Sequence, residues 1–129
     1  MTYSAFLARA LLAYDAGDSP LTARLAGEAA RMKKRFNEEF GIPDRGYYAI
    51  ALYGKKRQVD ACASNMGQCL WHGIMDEDKV PLVAERLMSP EMFNGWGVRT
   101  LASDRGAYNP ANYHNGTVWP MTTPSSPSD

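Results

Sequence analysis

Residues 108–120 read YNPANYHNGTVWP. These thirteen positions hold two prolines, three tyrosine or tryptophan rings, four amide or imidazole side chains and one glycine. Proline removes backbone donors and glycine loosens regular structure, so the mixture makes poor helix and poor strand. It suits a rigid loop in which flat rings and fork-like hydrogen-bonding groups face a polyhydroxylated ligand. Trp119 offers an apolar face that can stack on a pyranose, and it is assigned to such a site although Trp also serves as a large core residue. Tyr113, His114 and Asn115 can each donate and accept. His114 reads equally well as a structural hydrogen-bonding residue.

Other side chains extend this set. Trp96 is flanked by Gly95 and Gly97, a turn that would present the ring outward, and it reads either as a second stacking platform or as core. Arg99 supplies a planar fork of donors for sugar hydroxyls or for orienting a carboxylate, or else holds two loops through an ion pair. Asn65 can reach a site or cap its own helix, and capping is the reading taken. Cys62, Cys69 and His72 make C-x6-C-x2-H, which lacks a recognised zinc spacing. No metal and no cofactor are expected. Asn115-Gly116-Thr117 is a glycosylation sequon, read as chance without a secretory signal. G-x-S-x-G is absent, and Gly95-Trp96-Gly97 lacks the third glycine of a dinucleotide loop.

Helices must position these groups. Tyr3, Leu7, Ala10, Leu11 and Tyr14 share one helical face, ended by Gly17 and Asp18. Ser19 is the expected N-cap of a second helix, with Pro20 in its first turn and Gly41 at its close. Its stripe is Leu21, Leu25, Ala29, Met32, Phe36 and Phe40. The short connection predicts an antiparallel helical hairpin. Residues 46–53 suit a strand, residues 54–56 a turn, and residues 57–61 can pair back. Ser64 is expected to cap a helix over residues 65–74, and Asp76 or Asp78 one over residues 80–88, where Pro81 is tolerated in the first turn. From Asn94 onward the chain reads mainly as loop, and its length points to function. The last nine residues, MTTPSSPSD, hold no ring and read as a disordered end.

At 129 residues the chain fits one domain, and 45% hydrophobic content can supply a core. Fourteen basic and fourteen acidic residues cancel without a basic stripe, so nucleic acid and acidic membranes are poor partners. No apolar run approaches the ~20 residues that span a bilayer. The N-terminus lacks a charged segment ahead of its apolar residues and reads as an amphipathic helix rather than a secretory signal. Cys62 and Cys69 lie seven positions apart, roughly 10 Å along a helix if the segment is helical and beyond disulfide reach. Reduced thiols in a cytoplasmic protein are the expectation.

Four blocks in order resemble bacterial amylo-α-1,6-glucosidase or glycogen-debranching proteins: residues 59–71 (VDACASNMGQCLW), 87–93 (LMSPEMF), 95–101 (GWGVRTL) and 108–120. The resemblance implies a mainly α fold, part of an (α/α)6 toroid of six helical hairpins. About two hairpins, long site-forming loops and a possible short β-hairpin are expected here. It implies an inverting glycosidase with an Asp acid and a Glu base, spaced about 6.5–9.5 Å apart to leave room for water. By resemblance the acid lies upstream of Met1 and the base downstream of the chain, so no catalytic residue is expected within it. Substrate contacts are expected from Trp96, Arg99, Tyr113, His114, Asn115 and Trp119, on an α-glucan or oligosaccharide. The remainder of the toroid is the expected partner. Asp60 and Asp104 are the local carboxylates nearest a site-like loop, read either as surface or turn residues or as substitutes for the acid or base.

Two departures stand out. Gln68 occupies a position where the family usually has His. After Trp119-Pro120 the family continues with His-Asp-Asn and a small or apolar helix, where this chain has residues 121–129. Deleting one base from codons for His-Asp-Asn-Ser-Leu-Ile-Ala-Phe-Gly-Leu yields Met-Thr-Thr-Pro-Ser-Ser-Pro-Ser-Asp, the tail seen here. The expectation is therefore a truncated glycosidase piece over residues 1–120 with a frame-shifted tail. Two rivals remain: a toroid for another oligosaccharide such as trehalose or mannosylglycerate, and a non-enzymatic helical-hairpin scaffold that binds a partner.

Overall fold

A computed structural model describes residues 2–119. The expected disordered, frame-shifted tail at residues 121–129 lies outside the described residues.

Helix α1 (Thr2–Asp15) is rich in Ala and Leu, both strong helix formers. Gly17 ends it in the left-handed region, at φ +75°. Helix α2 (Ser19–Phe40) follows, with Pro20 in its first turn. Its N-cap is Asp18, not Ser19: the Asp18 carboxylate accepts from the Leu21 N–H at 3.0 Å. A carboxylate satisfies an orphan donor and also complements the positive end of the helix, which a hydroxyl cannot do. The two helices fold back on each other as a hairpin, and Ala10, Ala13, Leu25 and Ala29 fill the seam. The expected α1 stripe is mostly not in that seam. Leu7, Leu11 and Tyr14 are exposed, because the small alanines are what permit close approach to α2.

Gly41 closes α2 in an extended conformation, and its N–H donates back to the Asn37 carbonyl. A Cβ there would stand 2.7 Å from that carbonyl oxygen, so glycine is needed for proximity rather than for handedness. The chain then makes two short antiparallel ribbons where one strand is expected over residues 46–53. Strand β1 (Gly41–Ile42) pairs with β2 (Tyr47–Tyr48) around a 3-10 turn, Pro43–Arg45. Strand β3 (Ala51–Tyr53) pairs with β4 (Arg57–Val59) across residues 54–56. Gly54 and Lys56 both take positive φ, which tightens this turn.

Helix α3 (Asn65–Trp71) is shorter than expected, since Gly73 turns the chain at φ +67°. The N-cap position of α3 is Ser64 and that of α4 (Val80–Leu87) is Lys79; neither makes a side-chain cap, so the expected caps by Ser64, Asn65, Asp76 or Asp78 do not form. Asn37 substitutes for local capping. Its amide donates to the carbonyls of Lys33 and Ile74, and its oxygen accepts from the Asp76 N–H and the Tyr48 hydroxyl. One α2 side chain thus fastens the α3–α4 connection.

The core joins both helical pairs to the ribbons. Tyr47, Tyr48, Cys62, Met66, Met75, Val83, Met92 and Ala102 are buried, with Phe36 and Phe40 packed on their edge. Phe36 stacks between Phe40 and Tyr48 at centroid distances of 5.2 and 5.1 Å. The described chain is mainly helical, with four helices and two small ribbons. No described helix is long and apolar enough to cross a membrane. Cys62 and Cys69 are both free thiols, Cys62 fully buried.

Candidate functional site

The long loop is ordered by hydrogen bonds rather than by regular structure. Residues 98–101 lie between two other segments: Ala63 bridges Leu101, and Arg99 bridges Val118. Thr100 is the junction. Its carbonyl accepts from the Ser64 N–H, its N–H donates to the Thr117 carbonyl, and its hydroxyl accepts from the Gly116 N–H. Asparagine side chains fold the remainder: Asn109 Oδ1 accepts from Ala111 N–H and Asn112 Oδ1 from His114 N–H, each two residues on. Gly116 is buried against Tyr108, where a Cβ would lie 2.6 Å from the ring.

This frame holds a cluster of rings. Trp119 Nε1 donates to the Tyr113 carbonyl and to Thr117 Oγ1, both at 3.0 Å. The Tyr113 and Trp119 ring centroids are 4.1 Å apart, and His114 stands 4.9 Å from Tyr113, edge-on.

Beside the cluster is an open cleft of about 510 Å³. Trp119, His114 and Asn115 line it from the loop, Thr100 and Leu101 from the neighbouring segment, and Ser64, Asn65 and Gln68 from α3 and its start. Ile50, Ala61, Ala63 and Ala107 complete the wall. The Trp119 indole N–H is already bonded, so its ring presents apolar surface. By contrast, the side-chain amides of Asn65, Gln68 and Asn115 make no hydrogen bond among the described residues. Flat apolar area beside unspent donors and acceptors is what a polyhydroxylated ring requires.

The six expected contact residues divide. His114, Asn115 and Trp119 line the cleft, and Tyr113 buttresses Trp119 from beside it. Trp96 and Arg99 do not line it. Trp96 is 89% exposed on a turn whose backbone N–H groups, at Trp96 and Gly97, donate to Asn94 Oδ1. The Arg99 guanidinium donates to the Pro90 carbonyl at 3.1 Å, which ties two loops without a carboxylate. Gln68 and Thr100 were not among the expected contacts. The signal for Gln68 was its spacing of three from Asn65, which puts both on one helix face.

The two candidate carboxylates are held by arginines. Asp60 accepts from the Tyr47 hydroxyl and stands 3.6 Å from both Arg45 and Arg105. Asp104 meets Arg86 at 2.9 Å and Arg105 at 3.4 Å. Arg86 also reaches Glu91 at 3.4 Å and the Cys62 sulfur at 3.3 Å. Burial, followed by the hydrogen bond to Asp60, pushes the Tyr47 hydroxyl up to about 12. Burial likewise pushes the Cys62 thiol up, against the pull of Arg86. Among the described residues lining the cleft none is acidic. Nor do three His, Cys, Asp or Glu side chains converge on a metal position among the described residues.

A smaller recess of about 220 Å³ lies between the end of α2 and β2. Two of its hydroxyls are engaged: that of Tyr47 donates to Asp60 and that of Tyr48 to Asn37 Oδ1, which also accepts from the Asp76 backbone N–H.

Residues 1–124 match the family model described as the mannosylglycerate hydrolase MGH1-like glycoside hydrolase domain. No curated protein matches the chain.

Proposed function

We propose that this chain, which belongs to the mannosylglycerate hydrolase MGH1-like glycoside hydrolase family, forms the saccharide-holding wall of a glycoside-hydrolysing site. The observation that carries this reading is the cleft of Trp119, His114 and Asn115 facing Asn65 and Gln68, where an apolar ring adjoins unspent hydrogen-bonding groups. A pyranose stacks its C–H face on the indole and gives its hydroxyls to the amides and imidazole.

Hydrolysis of a glycosidic bond needs an acid and a base or nucleophile. The cleft contributes neither, and Asp60 and Asp104 are neutralised by arginines. We assign both catalytic carboxyl groups to segments outside residues 1–129. The chain then supplies part of an (α/α)6 toroid, and the exposed face of α1 is where a further helix would pack.

For the substrate we favour an α-1,6-branched glucan, cleaved with inversion, on the strength of the four sequence blocks. A second reading, an oligosaccharide such as mannosylglycerate, is favoured by the description of the matching family. The helical-scaffold reading leaves the ordered aromatic loop without a task.

Calorimetric titration of the 129-residue chain with isomaltose and panose tests the wall. Binding is expected, and Trp119→Ala should weaken it by on the order of 2 kcal/mol, the worth of roughly 80 Å² of apolar contact. The chain alone should release no glucose from branched dextrin. Glucose release abolished by Asp60→Asn would contradict the assignment.

A further inference from the structure

Resting on the saccharide reading, we propose that Asn65 and Gln68 of α3 are specificity-determining residues that read the hydroxyls of an uncharged sugar unit. Both line the cleft that Trp119, His114 and Asn115 line from the loop. They are three residues apart, so the helix presents them on one face. Each amide offers two donors and a carbonyl acceptor. Neither uses them on another described residue, although the asparagines at 94, 109 and 112 all spend their oxygens on nearby backbone. Both side chains are exposed, so neither is retained for core packing.

Charge separates this cleft from the arginine–carboxylate clusters. Arginines and carboxylates cluster around Cys62 and Tyr47, whereas none of the described residues lining the cleft is Lys, Arg, Asp or Glu. A carboxylate entering it would lose water without meeting a fixed cation, which is costly. A hydroxyl exchanges one hydrogen bond for another at little cost. On this wall the geometry therefore favours a neutral pyranose unit over a carboxylate-bearing one. His114 is the one lining side chain among those described that can carry positive charge, and it faces the Trp119 ring as well as the cleft.

The test is titration of the 129-residue chain and its variants with isomaltose (neutral) and mannosylglycerate (anionic). Asn65→Ala and Gln68→Ala should each raise the dissociation constant for isomaltose about three- to tenfold, the worth of one net hydrogen bond. Gln68→Arg should shift preference toward mannosylglycerate by about tenfold, because it introduces the missing cation. Unchanged far-UV circular dichroism would show that each variant folds as the parent does. Unaltered isomaltose affinity in both alanine variants, with Trp119→Ala still damaging, would overturn this inference and leave the saccharide reading standing. Failure of the parent chain to bind either sugar would overturn both.

Discussion

The Trp119 indole nitrogen donates to the Tyr113 carbonyl oxygen at 3.0 Å while the two rings lie 4.1 Å apart. One residue therefore anchors the other at both its polar and its apolar edge. The Trp119 ring is held in place before any ligand arrives, and preorganisation of this kind reduces the entropy lost on binding.

That anchoring depends on a tight turn at Gly116. A Cβ there would meet Tyr108 at 2.6 Å and the Asn109 carbonyl oxygen at 2.8 Å. Gly116→Ala should destabilise the chain by about 1–3 kcal/mol, typical of overpacking. Denaturant unfolding would measure this. A change within ~0.5 kcal/mol, usual for surface substitutions, would mean the turn is not under steric constraint.

Tyr47 gives a pH signature. Its hydroxyl keeps its proton up to about 12 in the fold because burial and then Asp60 oppose ionisation, whereas an unfolded tyrosine ionises near 10. The folded state thus binds the proton more tightly. This contribution is complete below pH ~10 and is lost as pH rises toward 12. Urea midpoints from pH 9 to 12 should fall in the parent and fall less in Tyr47→Phe. Parallel curves would contradict the assignment.

Arg86 should matter more than other arginines. It is about a quarter exposed and bonds Asp104, Glu91 and the Cys62 sulfur. Arg86→Leu leaves two carboxylates short of a partner and should cost about 1–3 kcal/mol. Arg31, 66% exposed and paired with Glu28 within α2, should cost at most about 1 kcal/mol when changed to Leu. Equal losses would show that the Arg86 network adds nothing beyond a surface pair.

The outer face of α1 should make the chain self-associate. Leu11, Leu12 and Tyr14 are 62%, 69% and 71% exposed. Apolar side chains grouped on one helix favour association or dye binding. Sedimentation should show concentration-dependent association, reduced in Leu11→Glu, Leu12→Lys. A monodisperse monomer that unfolds sharply would contradict this.

Periodicity and breakers made the helical hairpin legible: Gly17, Pro20 and Gly41 mark its boundaries in sequence as in structure. The Gly54–Lys56 turn was legible for the same reason. Capping was not, because Asn37 satisfies groups thirty-nine residues away, which no local pattern reveals. In the site, the ring-rich loop identified itself by composition. Trp96 and Arg99 share that composition but point elsewhere, since side-chain direction was set by Asn94 and Pro90. Spacing puts Gln68 on the same face of α3 as Asn65, but that this face lines a cleft with Thr100 is a long-range relationship that no local pattern reveals.

The cleft beside Trp119 should hold a saccharide. The chain has three tryptophans, hence three indole N–H signals in a nitrogen-correlated NMR spectrum. On titration with isomaltose, the Trp119 signal should move together with the side-chain amides of Asn65, Gln68 and Asn115, while those of Trp71 and Trp96 stay fixed. Shifts confined to Trp71 or Trp96, or no shift at saturating sugar, would contradict the account.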